Sequence, residues 1–252
     1  MTRPERASKT SFAYVYDALY GADTLFLRAQ LDFLRSVFGP PSGPLLDVGC
    51  GTGTHVAGLS QLGYSVVGMD VDPLMLGQAR RKLPRSGLAL ADMRRIPAGG
   101  AAFAAALCLE SPLACLMTAV DLRAALASIR DKLRDGGQLV IDVYDYPGTL
   151  GSRPSGSHRA YFQTQDMRVT VTESHHYEKQ RRLWTMRQQF EVEEDGGARA
   201  FEVLHRLRVR TMDEYAAALE ASGFTVLQAL TAYPGVPEPL RHERRIILVV
   251  RR

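Results

Sequence analysis

The chain has 252 residues, 46% of them hydrophobic, which is enough for one domain with an elaboration and a full hydrophobic core. No segment approaches the roughly 20 apolar residues of a membrane span, and residues 1–6 precede no apolar signal core, so we expect a cytoplasmic protein. The three cysteines form no metal-ligand cluster, and we expect reduced thiols rather than a disulfide framework. The net charge of +4 comes from scattered arginines rather than one stripe, which disfavours nucleic-acid binding without excluding it.

Two helices are predicted ahead of the first strand. Apolar side chains recur at helical spacing from Ser11 onward, and again from Asp23, an N-cap candidate, to Phe38. The glycine- and proline-rich run at 39–44 then stops the helical pattern. We therefore expect an N-terminal helical cap over residues 1–43.

The segment 45–55 is predicted to form a strand, a glycine-dense turn and the start of a helix. Asp47 lies inside the apolar strand, and Gly49, Gly51 and Gly53 follow it. This order brings main-chain N–H groups against a small ligand at the carboxyl end of the first strand. The third glycine comes one residue too early for the dinucleotide fingerprint G-x-G-x-x-G, and an acid inside the strand suits a cationic ligand group better than a pyrophosphate.

Two further acids follow the next two predicted strands. Asp70 ends the strand 64–70, about 20 residues after the glycines, which is the distance at which a βαβ unit returns an acid to a ribose. Asp92 follows a short strand at 88–91. The spacing of Asp47, Asp70 and Asp92 after three successive strands carries more weight than any one of them.

Residues 47–53 match in full the first motif, D-x-G-x-G-x-G, of the class I S-adenosylmethionine-dependent methyltransferases, and the chain resembles that family. Residues 16–20, Tyr-Asp-Ala-Leu-Tyr, are similar to the N-terminal Y-D-x-x-Y segment of small-molecule N-methyltransferases, including those that act on amino sugars. The resemblance implies an α/β fold with a Rossmann-like seven-stranded sheet in the order 3-2-1-4-5-7-6. It also implies S-adenosyl-L-methionine as cofactor and S-adenosyl-L-homocysteine as product.

The same resemblance assigns roles to individual residues. Asp70 would accept from both ribose hydroxyls, Val71 and Met75 would sandwich the adenine, and Asp92 with the Met93 N–H would bind the adenine edge. The residues expected to bind the cofactor are Tyr16, Tyr20, Arg28, Asp47, Gly49, Cys50, Gly51, Gly53, Asp70, Val71, Met75, Asp92, Met93 and Leu109.

Some of these roles have equally simple alternatives. Tyr16 and Tyr20 could pack against the sulfonium by cation–π attraction, or they could be core contacts of an amphipathic helix. Arg28 could pair with the cofactor carboxylate, but a solvated helix arginine is the more common outcome. Asp92 could be a loop acid.

Three side chains are candidates for catalysis at the transferred methyl group: Glu110, Tyr20 and His175. Glu110 follows the fourth predicted strand, 101–109, and is the best-placed ionisable group, although it could instead cap the next helix. A neutral amine needs little beyond positioning, whereas an oxygen acceptor or a protonated amine needs a base.

The pattern changes after strand five, which is predicted at 138–144 behind a helix at 121–133 and a glycine turn. Residues 154–211 alternate with period two around a hairpin turn at 195–197, which predicts an antiparallel insertion too long to be a connection. In related methyltransferases such an insertion covers the active site and selects the acceptor.

Within this insertion, Arg206, Arg208 and Arg210 share one face, for which a solvated or edge-protecting face is the simplest interpretation. The insertion's histidines lack a metal-ligand arrangement, so we expect no metal. A helix at 212–222 and strands at 224–230 and 245–251 are predicted to complete the sheet with the family's antiparallel edge.

We therefore predict four regions. Residues 1–43 form a helical cap, and residues 44–150 form a Rossmann-like core that binds S-adenosylmethionine. Residues 151–211 form an antiparallel β insertion, between strand five and the last helix, that covers the acceptor site, and residues 212–252 complete the core sheet. The expected activity is methyl transfer to a nitrogen or oxygen of a small molecule, with amines favoured. A nucleic-acid (RNA) methyltransferase, a nicotinamide-dependent oxidoreductase and a non-catalytic cofactor-binding module are the alternatives. No membrane partner is expected, and a homodimer is compatible with the sequence.

Overall fold

Two β-sheets organise the chain. The computed structural model describes residues 11–20, 24–97, 99–146, 148, 157–194, 196–236 and 244–252. The helices are α1 (Phe12–Tyr20), α2 (Leu25–Phe38), α3 (Thr54–Gln61), α4 (Pro73–Lys82), α5 (Ala119–Lys132) and α6 (Met212–Ala221). The strands are β1 (Leu45–Val48), β2 (Val66–Asp70), β3 (Gly87–Leu90), β4 (Phe103–Cys108), β5 (Leu133–Tyr144), β6 (Ser157–Gln163), β7 (Arg168–Glu178), β8 (Leu183–Glu194), β9 (Gly197–Arg208), β10 (Thr225–Leu230) and β11 (Arg245–Arg251).

The larger sheet has seven strands in the order β10-β11-β5-β4-β1-β2-β3. Strands β1 to β5 are parallel, whereas β11 runs antiparallel to β5 and β10 antiparallel to β11. With β10 and β11 counted as the sixth and seventh strands, this is the predicted order 3-2-1-4-5-7-6, and the predicted Rossmann-like fold is confirmed. Parallel strands bring their carboxyl ends to one edge, where β1, β2 and β4 deliver the residues of the site.

Helices cover both faces of this sheet, which explains why its central strands are continuous apolar runs. All four residues of β1 are buried, as are the first six of β11. One face packs against α5 and α6, with Ile129 and Tyr215 fully buried, and the other packs against α2, α3 and α4, with Leu34 and Leu59 fully buried. Among the described residues, no helix is long and apolar enough to cross a membrane.

The structure moves two predicted element boundaries. Asp23 lies outside the described residues, and Thr24 is the N-cap of α2, because its Oγ1 accepts a hydrogen bond from the Leu27 N–H at 3.1 Å. Strand five begins at Leu133 rather than at 138. Leu133 already pairs with Phe103, and the glycine turn predicted to precede the strand is a local irregularity within it.

The smaller sheet confirms the predicted antiparallel insertion. Its four strands pair in sequence order, β6-β7-β8-β9. Helix α1 packs on this sheet, since fully buried Val15 shares an apolar cluster with Val169, Phe190 and Val192. The N-terminal helix and the insertion, more than 130 residues apart in the chain, therefore form one cover above the carboxyl edge of the large sheet.

Candidate cofactor and acceptor site

The three glycines of the turn after β1 all have left-handed backbone, with φ of +78°, +54° and +81° at Gly49, Gly51 and Gly53. A Cβ on Gly49 would lie 2.7 Å from Pro112 Cγ, and one on Gly53 would lie 2.8 Å from Leu83 Cδ1. At Gly51 a Cβ would meet nothing within 4 Å. The outer glycines are therefore required by close packing, whereas the middle one keeps a face of the backbone open to a ligand.

Asp70, at the end of β2, lies directly beside this turn. Its carboxylate accepts hydrogen bonds from the Gly51 N–H at 2.8 Å and from the Asp72 N–H at 2.9 Å. Asp72 in turn caps α4, accepting from the Leu74 N–H. The carboxylate is thus held in place by main-chain donors, and its orientation does not depend on a flexible side-chain partner.

Asp47, inside β1, is 2% exposed, and within the described part of the chain its Oδ2 has no hydrogen-bond partner. Burial and the nearby charge of Asp70 raise the pKa of Asp47 to about 8. Burial, followed by the charge of Asp47, also raises the pKa of the adjacent Cys50 thiol, which is therefore protonated at neutral pH. An orphaned acid behind an open backbone face fits a cationic ligand such as a sulfonium nucleoside.

The structure brings Val71 and Asp92 to neighbouring strand ends, because Asp70 pairs with Leu90 and the Ala91 N–H donates to the Asp70 carbonyl. Val71 is 66% exposed, an unusual position for valine unless a ligand covers it. The carboxylate of Asp92 accepts three hydrogen bonds from the Arg94 guanidinium, which lower its pKa. Asp92 is thus already paired, a contact that the strand pattern did not indicate.

Helix α1 is held across the glycine turn by the acid of the Y-D-x-x-Y segment. Asp17 Oδ1 accepts from Thr52 Oγ1 at 2.6 Å, and its carboxylate pairs with Lys82 Nζ of α4 at 2.8 Å. The sequence analysis gave roles only to the two tyrosines. Asp17 supplies the docking contact that places them.

The two tyrosines of α1 lie in contact, with ring centroids 5.1 Å apart. Burial, then the charge of Glu110, raises the pKa of Tyr16, so the phenol is neutral, and the charge of Asp70 acts in the same direction. Tyr20 is 48% exposed, and its hydroxyl accepts a hydrogen bond from Gln188 Nε2 of β8 at 3.4 Å. Tyr16 therefore faces the strand ends, whereas Tyr20 reaches the insertion.

Glu110, just after β4, has left-handed backbone (φ +63°), and so does the next residue, Ser111 (φ +74°). Two consecutive non-glycine residues in this region are strained, which is typical of functional sites. The carboxylate of Glu110 accepts from Gln30 Nε2 at 2.7 Å and pairs with both terminal nitrogens of Arg245 at 3.1 and 3.2 Å.

The charge balance keeps Glu110 ionised. Burial opposes its ionisation, but the charge of Arg245 and the hydrogen bonds from Gln30 and Arg245 outweigh burial and lower the pKa of Glu110. Burial lowers the pKa of His55, which is therefore neutral and contacts Gln30 Oε1 at 3.2 Å. Glu110 is a strong hydrogen-bond acceptor and a weak base.

Behind Glu110, Arg245 also pairs with Asp142 of β5 at 2.8 Å, and the Tyr233 hydroxyl donates to the same carboxylate oxygen at 2.9 Å. Arg245 is 5% exposed and Asp142 is fully buried. No motif in the sequence predicted this network. One signal could have indicated it: Asp142 lies within one strongly apolar strand and Arg245 begins another, and charged residues are rarely buried unless they are paired.

The structure does not bring Arg28 to this site. It lies on α2 and lines a surface cavity with Asp32, Ser36 and Gly235. Gln30, two residues further along the helix, faces Glu110 instead. Residues two apart on a helix point in nearly opposite directions, so Arg28 faces outward.

His175 lies on β7, with its Nε2 2.7 Å from Glu173 Oε1 and its ring 5.2 Å from that of Trp184. Trp184 in turn stacks on Tyr146, just beyond β5, at 5.5 Å. The insertion therefore meets the carboxyl edge of the large sheet through aromatic contacts. No group of three or more metal-ligating side chains occurs among the described residues.

Of the three arginines predicted to share one face of the insertion, two are not simply solvated. Arg208 Nε donates to the Met117 carbonyl at 2.9 Å, and Arg210 donates to the Leu116 carbonyl at 2.6 Å. Arg206 is exposed, in agreement with the solvated-face interpretation. Arg208 and Arg210 anchor the insertion to the loop after β4.

Comparisons with known proteins agree with this geometry. Residues 45–137 match a family model described as a methyltransferase domain. The dTDP-3-amino-3,4,6-trideoxy-α-D-glucopyranose N,N-dimethyltransferase of Streptomyces venezuelae is 32% identical over 85% of this chain and 90% of that protein. The chain belongs to the class I S-adenosylmethionine-dependent methyltransferases.

Solved structures extend the similarity to both sheets. The structure of DesVI from Streptomyces venezuelae superposes with a TM-score of 0.78 at 27% identity, covering 94% of this chain and 98% of that one. CalS10, an amino pentose methyltransferase from Micromonospora echinaspora solved with bound S-adenosylmethionine, gives a TM-score of 0.74 at 28% identity, covering 94% and 96%. The predicted cofactor, S-adenosylmethionine, is thereby confirmed, and this methyltransferase lies close to the amino-sugar N-methyltransferases.

Proposed function

We propose that this methyltransferase acts on the amino group of a nucleotide-linked amino sugar. The observation that carries the proposal is that 32% identity to an amino-sugar N,N-dimethyltransferase extends over 85% of the chain, too much to leave out the insertion that covers the acceptor side. An amino pentose methyltransferase also matches across both sheets in three dimensions. An oxygen acceptor would need a strong base, and the low pKa of Glu110 offers none at the end of β4.

We propose that the cofactor lies along the ends of β1 to β3. The open backbone at Gly51 would receive its methionine portion, with the orphaned acid of Asp47 behind it. Asp70, held by two main-chain donors, would bind the ribose hydroxyls, and exposed Val71 would cover the adenine together with Met75. Arg28 is left out of this set because it faces the outer surface of α2.

The remaining cofactor-site candidates would contribute through the shape of the backbone turn or by packing against it. Gly49, Gly53 and Cys50 shape the turn, and Leu109, 3% exposed, supports it from the end of β4. Asp92 and the Met93 N–H stay candidates for the adenine edge, with Asp92 sharing its carboxylate with Arg94.

S-adenosylmethionine supplies a methyl group whose bond to sulfur breaks as the bond to the acceptor nitrogen forms, releasing S-adenosylhomocysteine. The task of the chain is to hold a neutral amine in line with that bond, and positioning of this kind contributes on the order of 7–11 kcal/mol. We propose that Glu110 accepts a hydrogen bond from the acceptor amine. Tyr16 and Tyr20 would line the transfer path, and His175 can take a proton if the amine arrives as an ammonium.

The test is incubation of the purified protein with methyl-labelled S-adenosylmethionine and three acceptors. These are dTDP-3-amino-3,4,6-trideoxy-α-D-glucopyranose, the same sugar nucleotide with a hydroxyl in place of the amine, and total cellular RNA. Label should enter only the amino sugar, first as a monomethyl and then as a dimethyl product. Label in the hydroxyl compound or in RNA alone would contradict the proposal.

We further propose that nucleic acid is not an acceptor. Of the three arginines on one face of the insertion, Arg208 and Arg210 donate to carbonyls of the core, which leaves only Arg206 of this set exposed. A cytoplasmic location and a homodimer are also part of the proposal. Cell fractionation would test the location, and sedimentation equilibrium would test the homodimer.

A further inference from the structure

The inward face of the insertion sheet, which packs on α1 and on the large sheet, changes character along its strands. We call the side chains of β7, β8 and β9 on this face the roof. Successive rows across the three strands, fixed by the pairing register, are Val171-Phe190-Phe201, then Glu173-Gln188-Val203, then His175-Met186-His205, then Tyr177-Trp184-Leu207. The first row packs under α1 and the last joins the core of the large sheet. Between two apolar rows lies a polar band made of Glu173, Gln188, His175 and His205.

The polar band is internally ordered by Gln188, which is fully buried. Its Nε2 donates to Glu173 Oε2 at 2.7 Å, and its Oε1 lies 3.1 Å from His205 Nε2. The other oxygen of Glu173 lies 2.7 Å from His175 Nε2. The hydrogen bond from Gln188 therefore orients the carboxylate, and the oxygen that it does not contact faces the His175 ring.

A carboxylate and two imidazoles in the middle of an apolar face are energetically unfavourable. Burying polar groups costs free energy that hydrogen bonds at best offset, and an apolar row would pack against α1 without that cost. The band is also not sealed, since 25% of the Glu173 side chain and 13% of the His175 side chain are exposed. Such a band is explained if something polar binds beneath it.

The band faces the proposed transfer path. Gln188 donates to the Tyr20 hydroxyl at 3.4 Å, and Tyr20 contacts Tyr16, which lies in the field of Glu110 and Asp70. On the other side of the band, His175 contacts Trp184, which stacks on Tyr146 beyond β5. The polar band therefore lies between the two walls of the space above the strand ends.

We propose that Glu173, oriented by Gln188 and flanked by His175, is a binding residue for the amino-bearing ring of the acceptor. A fixed carboxylate accepts hydrogen bonds from ring hydroxyls and from an amine, and it repels a diphosphate. The band thus recognises the sugar ring rather than the nucleotide. This assignment rests on the proposed function.

The test compares Glu173→Gln with Glu191→Gln, a matched change on β8 at an exposed glutamate that pairs with Arg159. Affinity for dTDP-3-amino-3,4,6-trideoxy-α-D-glucopyranose is measured by calorimetry on protein saturated with S-adenosylhomocysteine, together with the acceptor KM. E173Q should lower the affinity for the sugar nucleotide and raise its KM, each by about tenfold or more, whereas both values in E191Q should match those of the wild type. Affinities for S-adenosylmethionine and for thymidine diphosphate alone should be the same in all three proteins.

Unchanged acceptor affinity in E173Q, with an active wild type, would overturn this assignment and leave the proposed function intact. So would an equal loss of affinity for thymidine diphosphate alone, since the carboxylate would then act on the nucleotide or on the fold. A wild type that neither binds nor methylates the amino sugar would overturn the proposed function, and this assignment with it. If E173Q also loses S-adenosylmethionine affinity, Glu173→Asp decides: a raised acceptor KM with normal cofactor affinity supports the assignment, and an unchanged KM overturns it.

Discussion

The floor of the pocket, formed by Asp47, the turn 49–53 and Asp70, is built from a stretch of 24 residues, and its contacts are mostly main chain. The roof draws on three strands and contacts α1, and its polar band depends on side chains. Backbone geometry repeats wherever the same turn forms, so a floor of this kind suits a ligand that does not change. A roof made of side chains can be altered one residue at a time, which suits an acceptor that differs between related enzymes.

The largest effect is expected in the floor, from Gly51→Val. A side chain here would enter the open space that we propose for the cofactor, so S-adenosylmethionine affinity should fall by about 100-fold or more, corresponding to roughly 2.7 kcal/mol. Calorimetric titration measures the loss. Gly63→Val is the control, because Gly63 also has positive φ (+88°) and open space at its Cβ, but it lies in the loop after α3. Equal losses in both variants would attribute the effect to backbone strain and contradict an open ligand face.

Asp70→Ala should have the next largest effect. Removing the carboxylate unpairs the proposed ribose hydroxyls and two main-chain donors, which should weaken cofactor binding by about 1–3 kcal/mol. Fluorescence or calorimetric titration with S-adenosylhomocysteine measures it. Asp135→Ala, at a side chain that is 98% exposed on β5, serves as the comparison. Normal affinity in the Asp70 variant would mean that the ribose binds elsewhere.

Asp17→Ala tests the connection between floor and cover. The change removes the contacts to Thr52 and Lys82 that hold α1 across the turn, and we expect about a tenfold loss of S-adenosylmethionine affinity as α1 loosens. The effect should be smaller than at Asp70 because Asp17 is partly exposed and its ion pair is screened by solvent. Asp32→Ala on the outer face of α2 should leave affinity unchanged. A wild-type affinity in D17A would show that α1 docks without this contact.

The smallest effect is expected at Arg210, which anchors the insertion to the loop after β4. Arg210→Gln removes hydrogen bonds to core carbonyls and should lower the free energy of unfolding by about 0.5–1.5 kcal/mol, while the acceptor KM rises a few-fold and cofactor affinity stays the same. Arg206→Gln, four residues earlier in the chain and exposed on β9, should stay within about 0.5 kcal/mol of the wild type. Chemical denaturation and steady-state kinetics measure the two quantities. If S-adenosylmethionine affinity fell in the Arg210 variant while the acceptor KM rose, the roof and the floor would not bind their ligands independently.

The residues of the floor could be predicted from the sequence, whereas the network around Glu110 could not. Asp47, Gly51 and Asp70 are close in the chain, and their spacing follows directly from strand, turn and helix lengths, so a local pattern locates them. Glu110 could be proposed as the ionisable group after β4, but its partners Gln30 and Arg245 are 80 and 135 residues away. No periodicity connects such positions. A charged residue at the start of an apolar strand is the only signal for Arg245, and no sequence signal indicates Gln30.

The amino-acid sequence by itself determined the glycine turn, the spacing of the acids after successive strands and the existence of the insertion, because each rests on local chemistry: backbone freedom at glycine, the length of a βα unit and period-two alternation. The fold family and the order of the strands were predicted from the family resemblance that residues 47–53 carry, not from local chemistry. Tertiary structure alone decided that Asp17 docks α1, that Arg28 faces away, and that Glu173 lies opposite Gln188 under Tyr20. These depend on helix rotation and strand register, and a slip of one residue would have turned each of those roof side chains to the opposite face.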